Sequence, residues 1–300
     1  MKIYYKIPKL EKTAVALGCF DGLHLGHQKV IENMLSGKAE LLDTVLLSFS
    51  DNIPYKKDVR RIITFEDKCE VLSEMGVNRL VAPTFASICE YSPERFFNEI
   101  LVEQLDAKLI ACGENYHFGK CAAGNAEILQ KMCAESGIEC RIVSPVAHDG
   151  EIISSSRIRR ELSNGDVKAS EKMLGRLFSY RLEVLSGRHL GRTLGTPTIN
   201  QYFPDNFVIP RYGVYASVTE IDGRKYHSVT NIGVKPTVGS DKPLSETWIP
   251  EYSGDLYGRC IRVSLVQFMR EEQKFASIEE LKSAIIQDGV NSKDLTSLYL

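Results

Sequence analysis

The sequence predicts two domains of different fold class: an α/β domain with a parallel sheet, followed by a small antiparallel β-barrel that ends in one helix. The chain has 300 residues, of which 43% are apolar, and this favours two domains of about 150 residues each over a single core. Short apolar runs alternate with helical patterns from residue 13 to about 165, which is typical of a parallel sheet with helices on both faces. After residue 175 the pattern changes to β-rich runs separated by turn residues. We therefore place the domains at residues 1–172 and 173–300.

Apolar runs predict five strands in the first domain: Ala14 to Leu17, Thr44 to Phe49, Arg79 to Ala82, Lys108 to Cys112 and Glu139 to Val143. Amphipathic helices are predicted at Phe65 to Gly76 and at Ser92 to Leu105, the second with a serine N-cap and a proline at its first position. A further helix begins near Ser155 and is stopped by Asn164-Gly165-Asp166.

A hairpin is the clearest signal of the second domain. The runs Gly213 to Ile221 and Tyr226 to Ile232 flank Asp222-Gly223, and both of these turn residues tolerate the positive φ of a type I′ turn. The last strand is predicted at Cys260 to Phe268, and a helix at Ser277 to Gln287 follows it.

The overall composition favours a small-molecule partner. Lysine and arginine total 37 against 39 acidic residues, and no long block of one sign suggests a nucleic-acid or membrane-surface protein. The first residues lack the apolar core of a secretory signal, and no apolar run approaches the length of a membrane span. Eight scattered cysteines form no CxxC pair, which is typical of reduced core thiols. We expect a cytoplasmic protein that is a monomer or a weak homo-oligomer.

The first predicted strand runs into a glycine-rich turn, GCFDGLHLGHQ at residues 18–28, and a helix begins as the turn ends. Glycines allow close approach of a ligand, and the N–H groups of a helix N-terminus attract phosphates. Two histidines three residues apart can both donate to phosphoryl oxygens while an α-phosphate is attacked. Alternatively, one caps the helix and the other lies in the core. The turn supplies the predicted ATP-binding residues Gly18, Phe20, Asp21, Gly22, His24, Gly26 and His27.

The spacing of His24, Gly26 and His27 resembles the HxGH signature of the nucleotidyltransferase superfamily, whose members join a nucleotide monophosphate to a substrate and release pyrophosphate. Members carry a second phosphate-binding element at a later helix start. The segment ISSSRIR, residues 153–159, occupies that place, and its Ser154, Ser155 and Arg157 could hold the leaving phosphates. Taken alone, the same segment would be an N-cap with a solvated basic face.

Together, GCFDGLHLGHQ, GENYHFGK at residues 113–120 and ISSSRIR resemble the FAD synthetase module of the bacterial bifunctional riboflavin kinase/FAD synthetases. The resemblance implies a Rossmann-like domain over residues 1–172 with His24 and His27 as catalytic residues. In that family the middle element lies beside the flavin and the nucleotide. The flavin-binding residues expected in this domain are Gly113, Asn115, Phe118 and Asn125.

The second half contains another glycine-rich run, GRHLGRTLGTPTIN at residues 187–200. Pro197 fixes its own φ, so that Thr198 and Asn200 extend from the same side of the chain. Their hydroxyl and amide oxygens are ligands that suit Mg²⁺. Further on, Glu246 could accept the proton of an alcohol that attacks a γ-phosphate, or it could be a solvated surface residue.

The runs GRTLGTPTIN, GVYA, NIGVKPT, ETW, GDLYG and FMREEQKF resemble the riboflavin kinase module in order and spacing. The resemblance implies a six-stranded Greek-key barrel over residues 173–300. It assigns ATP contact to Gly187 and Arg192, Mg²⁺ and phosphate contact to Thr198 and Asn200, the general-base role to Glu246, and flavin contact to Arg270. The residue after Glu-Thr is usually histidine in the family and is Trp248 here, which could stack on the isoalloxazine or fill the barrel mouth.

The expected function is therefore bifunctional. The second domain would phosphorylate riboflavin to FMN, and the first would adenylylate FMN to FAD, with ATP as co-substrate and Mg²⁺ as cofactor. One alternative keeps the HxGH domain and gives it another acceptor, such as nicotinamide mononucleotide, pantetheine phosphate or a sugar phosphate. The other is a flavin-sensing protein with a decayed site, which would bind flavin without turning over ATP.

Overall fold

The computed structural model describes residues 1–50, 59–186, 195–234 and 242–300. The chain divides into two compact units, one of Met1–Val59 and Phe65–Ser154 and the other of Arg60–Thr64 and Ser155–Leu300. The domain boundary predicted between residues 172 and 173 stays a prediction, since compactness alone does not delimit a functional domain. Among the described residues, no helix is long and apolar enough to cross a membrane.

A six-stranded parallel sheet forms the centre of the first unit, which confirms the predicted α/β class. In chain order its strands are β1 (Lys2–Tyr4), β2 (Thr13–Leu17), β3 (Asp43–Leu47), β4 (Arg79–Val81), β5 (Ala107–Gly113) and β8 (Glu139–Val143). Two short hairpins lie outside this sheet, β6 (His117–Phe118) with β7 (Gly124–Asn125) and β9 (Ala147–His148) with β10 (Glu151–Ile152). The prediction missed β1, because three residues at a sheet edge are too few to show a period.

The spatial order of the sheet is β1-β4-β3-β2-β5-β8. From β2 the chain first moves outward through β3 and β4, and it then crosses over to place β5 on the other side of β2. Ligands of open parallel sheets bind in the crevice at the carboxyl ends of the strands where the order reverses. The turn that follows β2 therefore stands at the expected binding edge.

Among the described residues of this unit, the α-helices are α1 (Leu25–Leu35), α2 (Phe65–Glu74), α3 (Pro93–Arg95) and α4 (Ala126–Glu135). Ser92 caps α3 as predicted, and its Oγ accepts a hydrogen bond of 3.2 Å from the Arg95 N–H. The predicted helix is confirmed in its extent, and its type changes after Arg95, because Phe96–Gln104 forms a π-helix. Phe96, Phe97, Ile100 and Leu101 of this segment lie buried in the core.

The second unit is built on a six-stranded antiparallel sheet in the order β11-β16-β13-β14-β15-β12. Its strands are β11 (Phe178–Glu183), β12 (Thr198–Tyr202), β13 (Gly213–Ile221), β14 (Arg224–Val234), β15 (Pro243–Trp248) and β16 (Cys260–Arg270). The succession β16-β13-β14-β15 is the Greek-key arrangement. A bridge between Leu185 and Asn200 joins the two ends of this order, so the sheet curls into the predicted barrel.

The turn residues behave as the sequence indicates. Asp222 and Gly223 have φ values of 52° and 76°, which confirms the two-residue hairpin between β13 and β14. Gly165 has a φ of 85° and follows α5 (Ser155–Asn164). A helix that was not predicted, α6 (Val167–Leu174), comes directly after it.

The last helix, α7 (Ile278–Thr296), is longer than predicted. Ser277 is its N-cap, and Ser277 Oγ accepts a bond of 3.1 Å from the Glu280 N–H. Beyond Gln287 the helix continues because it is held against the sheet, and Ser292 Oγ donates a buried bond of 2.7 Å to the Ser228 carbonyl. Apolar residues of β13 lie beneath α7, with Ala216 and Val218 packed near Leu295.

A short segment from early in the chain also belongs to the second unit. The backbone of Arg61 donates a hydrogen bond of 2.6 Å to the Asn206 carbonyl and accepts one of 2.8 Å from the Val208 N–H. Arg159 Nε donates to the Arg60 carbonyl at 2.6 Å. Residues 60–64 thus join this unit through an isolated bridge between Arg61 and Phe207, although the residues on either side of them belong to the first.

Hydroxyl groups on neighbouring strands form a buried network on the face of the barrel sheet that points away from α7. Ser217 Oγ lies 2.8 Å from both Ser228 Oγ and Thr230 Oγ1. Thr230 Oγ1 lies 2.9 Å from Thr247 Oγ1, and Thr219 Oγ1 donates to Ser228 Oγ at 2.8 Å. These contacts tie together β13, β14 and β15.

We predict that Thr230→Val lowers the free energy of unfolding by about 1 to 2 kcal/mol, because it keeps the shape but removes a hydroxyl with two buried partners. Urea denaturation of the purified chain measures this. The double variant with Thr247→Val should lose less than the sum of the two single losses. Additive losses, or an unchanged Thr230→Val, would show that these hydroxyl contacts do not stabilise the barrel.

Candidate functional site

The turn after β2 has an unusual backbone conformation. Between Leu17 and the start of α1, three residues have positive φ: Phe20 at 52°, Gly22 at 79° and Leu23 at 46°. Non-glycine residues in this region are strained, and such strain collects at ligand sites. Both strained side chains are buried in the core, where they anchor the turn from below. Because the Phe20 side chain is buried, only the backbone of this residue could contact a nucleotide.

The two predicted histidines lie against each other at the start of α1. Their rings stack with centroids 3.6 Å apart. His24 is the N-cap, and its Nδ1 accepts a hydrogen bond of 3.3 Å from the His27 N–H. A Cβ on Gly26 would lie 3.2 Å from the His24 ring, so glycine leaves room for this arrangement. The structure thus shows the capping role that the sequence analysis weighed for one of the two histidines, and His24 fills it through Nδ1.

His27 is held in its neutral form by its surroundings. The Phe20 ring packs edge-on to its imidazole at 5.3 Å between centroids. Burial lowers the pKa of His27 well below its ordinary value, and the nearby His24 and Lys68 lower it further. At neutral pH the residue is therefore uncharged, and one of its ring nitrogens carries an N–H that can donate a hydrogen bond.

A buried lysine braces this turn, and the sequence analysis missed it. Lys68 of α2 is 6% exposed, and its Nζ donates bonds of 2.7 Å to the Cys19 carbonyl and to Ser48 Oγ. Ser48 Oγ in turn donates to the Cys19 carbonyl at 2.9 Å. The available sequence signal was that Lys68 lies four residues from the buried Leu72 on one face of α2.

The end of β5 stands next to the turn. Ala111 pairs with Ala16, which places Gly113 beside Gly18 at the same edge of the sheet. Of the other flavin residues predicted here, Asn115 is exposed at this edge. Phe118 is buried against Phe96 and Tyr116, and Asn125 caps α4 by accepting a 2.9 Å bond from the Ile128 N–H. The side chains of Phe118 and Asn125 thus have structural contacts of their own.

The serine- and arginine-containing element is divided between the two units. Ser154 is the last residue of the first unit. Ser155 and Arg157 lie in the first turn of α5, and both are partly exposed. Their grouping with the histidines around one nucleotide stays a prediction.

In the second unit, strand register brings the predicted kinase residues together. Asn200 of β12 is paired with Glu246 of β15, and on the other side of β15 the same Glu246 is paired with Asn231 of β14. Thr198 is paired with Trp248. Directly paired residues extend from the same face of a sheet, as do alternate residues of a strand, so these five side chains lie on one face. We call this group of five the row.

This row lies on the outer face of the barrel, beside α7. A Cβ on Gly289 of α7 would come within 2.6 Å of Trp248, so the two residues are in direct contact. Arg270, at the end of β16, donates two bonds to Asp288 of the same helix. Gly187 and Arg192 lie outside the described residues.

Asn231 is a member of the row that the sequence analysis did not identify. Its Nδ2 donates a hydrogen bond of 3.0 Å to Glu272 Oε1. Its Oδ1 is buried and has no hydrogen-bond partner among the described residues. A buried carbonyl oxygen beside Glu246 is suited to accept a bond from a hydroxyl of a ligand.

The oxygens of Thr198 and Asn200 fit a hard cation. Both residues lie on the same face of β12, and Asn200 is 8% exposed. The described residues contain no group of three or more histidine, cysteine or carboxylate side chains that could hold a metal ion. The hydroxyl and amide pair stays the predicted metal site, and its chemistry suits Mg²⁺ that takes its other ligands from phosphates and water.

Comparison with known proteins gives matches to both halves. Residues 6–157 match the FAD synthetase family, and residues 174–296 match the riboflavin kinase family. The bifunctional riboflavin kinase/FMN adenylyltransferase of Pseudomonas fluorescens is 32% identical over 298 residues, covering 97% of this chain and 95% of the relative. That of Escherichia coli K12 is 30% identical over 295 residues, covering 96% and 94%. A solved structure described as a macrolide-efflux protein from Streptococcus pneumoniae has a TM-score of 0.87 at 28% sequence identity, and the match covers 97% of this chain and 98% of the chain in that structure.

We predict that His27 makes the protein less stable in acid. Below a pH of about 6.5 the histidine is protonated in the unfolded chain but stays neutral in the native protein. The free energy of unfolding is therefore unaffected by His27 above this pH, and it falls by up to about 1.4 kcal/mol per pH unit below it. His27→Gln should lose less stability than the wild type when urea denaturation is compared at pH 7.5 and 5.5. Burial also lowers the pKa of His227, and this contribution stays in both proteins. An identical acid sensitivity of the two proteins would contradict the prediction.

Proposed function

This chain belongs to the bifunctional riboflavin kinase/FMN adenylyltransferase family, and from that premise we propose which of its residues carry out each reaction. The enzyme phosphorylates riboflavin to FMN and transfers an adenylyl group to FMN to give FAD, with ATP as the substrate of both steps. We assign the adenylyltransferase to residues 1–172 and the kinase to residues 173–300. The matched ranges 6–157 and 174–296 support this division.

The kinase reaction is assigned to the row on the outer face of the barrel. Glu246 is the general base, which takes the proton of the ribityl 5′-hydroxyl as that oxygen attacks the γ-phosphate. The single observation that carries the assignment is the position of Glu246 between Asn200 and Asn231 on neighbouring strands. The buried Oδ1 of Asn231 is available to accept a bond from the ribityl chain and to orient it. Gly187 and Arg192 complete the proposed ATP site.

Thr198 and Asn200 are the proposed ligands of Mg²⁺, through a hydroxyl and an amide oxygen. Bound there, Mg²⁺ would neutralise charge on the β- and γ-phosphates of ATP. Because Asn200 is also paired with Glu246, the residue that would hold the cation and the residue that receives the proton are fixed by the same pair of strands.

The adenylyl transfer is assigned to the turn after β2. The phosphate of FMN attacks the α-phosphate of ATP in line, and His24 and His27 donate hydrogen bonds to the phosphoryl oxygens as charge grows there. Free N–H groups at the start of α1 add to this attraction. Ser154, Ser155 and Arg157 are proposed to hold the departing pyrophosphate. Gly113 and Asn115, at the neighbouring edge of β5, are the proposed flavin contacts.

We also propose that the enzyme works in the cytoplasm as a monomer or weak homo-oligomer. All eight cysteines are free thiols, which supports a reducing compartment.

The two sites should fail independently. We predict that Glu246→Gln lowers the rate of FMN formation from riboflavin by about 10² to 10⁴-fold and leaves FAD formation from added FMN unchanged. His27→Gln should lower FAD formation by about 10² to 10³-fold and spare FMN formation. Incubation with ATP and Mg²⁺, followed by chromatographic separation of flavins, measures both steps. Glu183→Gln, at an exposed end of β11, is the control.

The same assay decides between the alternatives. If wild-type protein binds flavin but turns over no ATP, it is a flavin-sensing protein. If Glu246→Gln forms FMN at the wild-type rate, the general-base assignment is wrong. If FMN is formed but never converted to FAD, the turn after β2 serves another acceptor.

We predict that Lys68→Met lowers FAD formation by about 10 to 100-fold, since small displacements of catalytic groups have effects of this size. The variant removes the ammonium group that holds the Cys19 carbonyl and so releases the histidine turn. FMN formation from riboflavin should be unchanged. Lys29→Met, which removes an exposed lysine of α1, is the matched control. Equal rates for Lys68→Met and Lys29→Met would exclude a positioning role for Lys68.

A further inference from the structure

Two adjacent residues of α7 contact Arg270 and Trp248, which the sequence analysis gives as candidate flavin contacts of the kinase domain. Asp288 is bonded to Arg270, and Gly289 is packed against Trp248. Neither α7 residue is assigned to chemistry or to a ligand. Both are buried within a helix whose neighbouring residues at 286, 287 and 290 are exposed.

The contact between Asp288 and Arg270 fixes the plane of a guanidinium group. Arg270 Nε donates to Asp288 Oδ1 at 3.2 Å and Nη2 donates to Oδ2 at 2.7 Å, and such a bidentate pair holds the plane firmly. The Asp288 side chain is only 8% exposed. Arg270 Nη1 also donates to the Glu271 carbonyl at 3.1 Å. Of the five N–H donors of an arginine, three are thus used among the described residues, and two remain for a ligand.

The close contact between Gly289 and Trp248 leaves no room for a side chain at position 289. A Cβ on Gly289 would lie 2.6 Å from Trp248 Cζ3 and 3.1 Å from Cη2, closer than carbon atoms pack. Gly289 has no positive φ, so its backbone does not require glycine. Glycine is among the least favourable residues inside a helix. The reason that the structure gives for glycine at this position is that it admits the indole ring.

We propose that Asp288 and Gly289 are positioning residues which hold Arg270 and Trp248 in place and thereby set the affinity of the kinase site for the flavin ring. The inference rests on the proposed function of the barrel. A flat heteroaromatic ring with carbonyl acceptors is the ligand that a fixed indole face and two free guanidinium donors recognise together. Glu246 and Asn200 act on the other end of the substrate, where the phosphoryl group is transferred. The α7 pair therefore affects binding of riboflavin more than the rate of transfer.

The chain has a single tryptophan, so its intrinsic fluorescence reports on this site directly. Gly289→Ala and Asp288→Asn should each raise the KM for riboflavin, and the FMN concentration that half-quenches Trp248, by about tenfold, which corresponds to about 1.4 kcal/mol. We expect kcat to change by less than about twofold, because interactions equal in the bound and transition states alter KM alone. Asp288→Glu, which keeps the charge, should raise the KM less than Asp288→Asn.

Two controls separate positioning from a general loosening of the helix. Ser292→Ala removes the buried bond from α7 to the Ser228 carbonyl without touching Arg270 or Trp248. Val290→Ala changes a neighbouring side chain that is 56% exposed. Both should keep the wild-type KM. If Ser292→Ala raises the KM as much as Gly289→Ala does, α7 acts only through stability and the inference is wrong.

A compensating variant keeps the test decisive if Gly289→Ala folds poorly. The smaller ring in Trp248→Phe/Gly289→Ala leaves space for the added methyl group, so the double variant should have a lower riboflavin KM than Gly289→Ala alone. A double variant no better than the single one would overturn the inference. If wild-type protein forms no FMN, the proposed function fails; if it does, and the α7 variants keep the wild-type KM and quenching, only this inference fails.

Discussion

The register of β15 between β12 and β14 is the constraint on which the barrel site depends. It places Glu246 between Asn200 and Asn231 on the outer face. On the opposite face, Thr247 and Thr230 meet through their hydroxyls. A slip of one residue would exchange the two faces, burying a carboxylate and exposing hydroxyls that have partners only in the native register. The buried network therefore fixes the positions of Asn200, Glu246 and Asn231 without contacting their side chains.

The turn after β2 meets a comparable requirement by different means. Phe20 and Leu23 adopt positive φ, and such strain costs about 1 to 3 kcal/mol per residue. Burial of both side chains and the bonds from Lys68 to Cys19 and Ser48 offset that cost. Lys68 also favours the neutral form of His27, so one charged group supports both the shape of the turn and the protonation state of its histidine.

Local patterns in the sequence predicted much of this structure. The five apolar runs became strands, Asp222-Gly223 became a hairpin turn, and the histidine pair lies at a helix start. What the sequence did not predict depends on contacts between distant segments. Lys68 and Asn231 look like ordinary surface residues until the fold brings them to Cys19 and Glu272. Gly289 would be expected to weaken a helix. Its presence is explained by the contact with Trp248, which lies 41 positions earlier in the chain.

The short segment at residues 60–64 affects how the gene of such a protein could be split into separate domains. Because Arg61 bonds to Asn206 and Val208, the chain passes from one unit to the other three times rather than once. A gene fragment that began at Ser155 would encode the whole six-stranded barrel but would lack Arg61, which bonds to the backbone of Asn206 and Val208. If this gene were split into two separate enzymes, the backbone groups of Asn206 and Val208 would need new hydrogen-bond partners. In the fused chain Arg61, from the first half of the sequence, provides them.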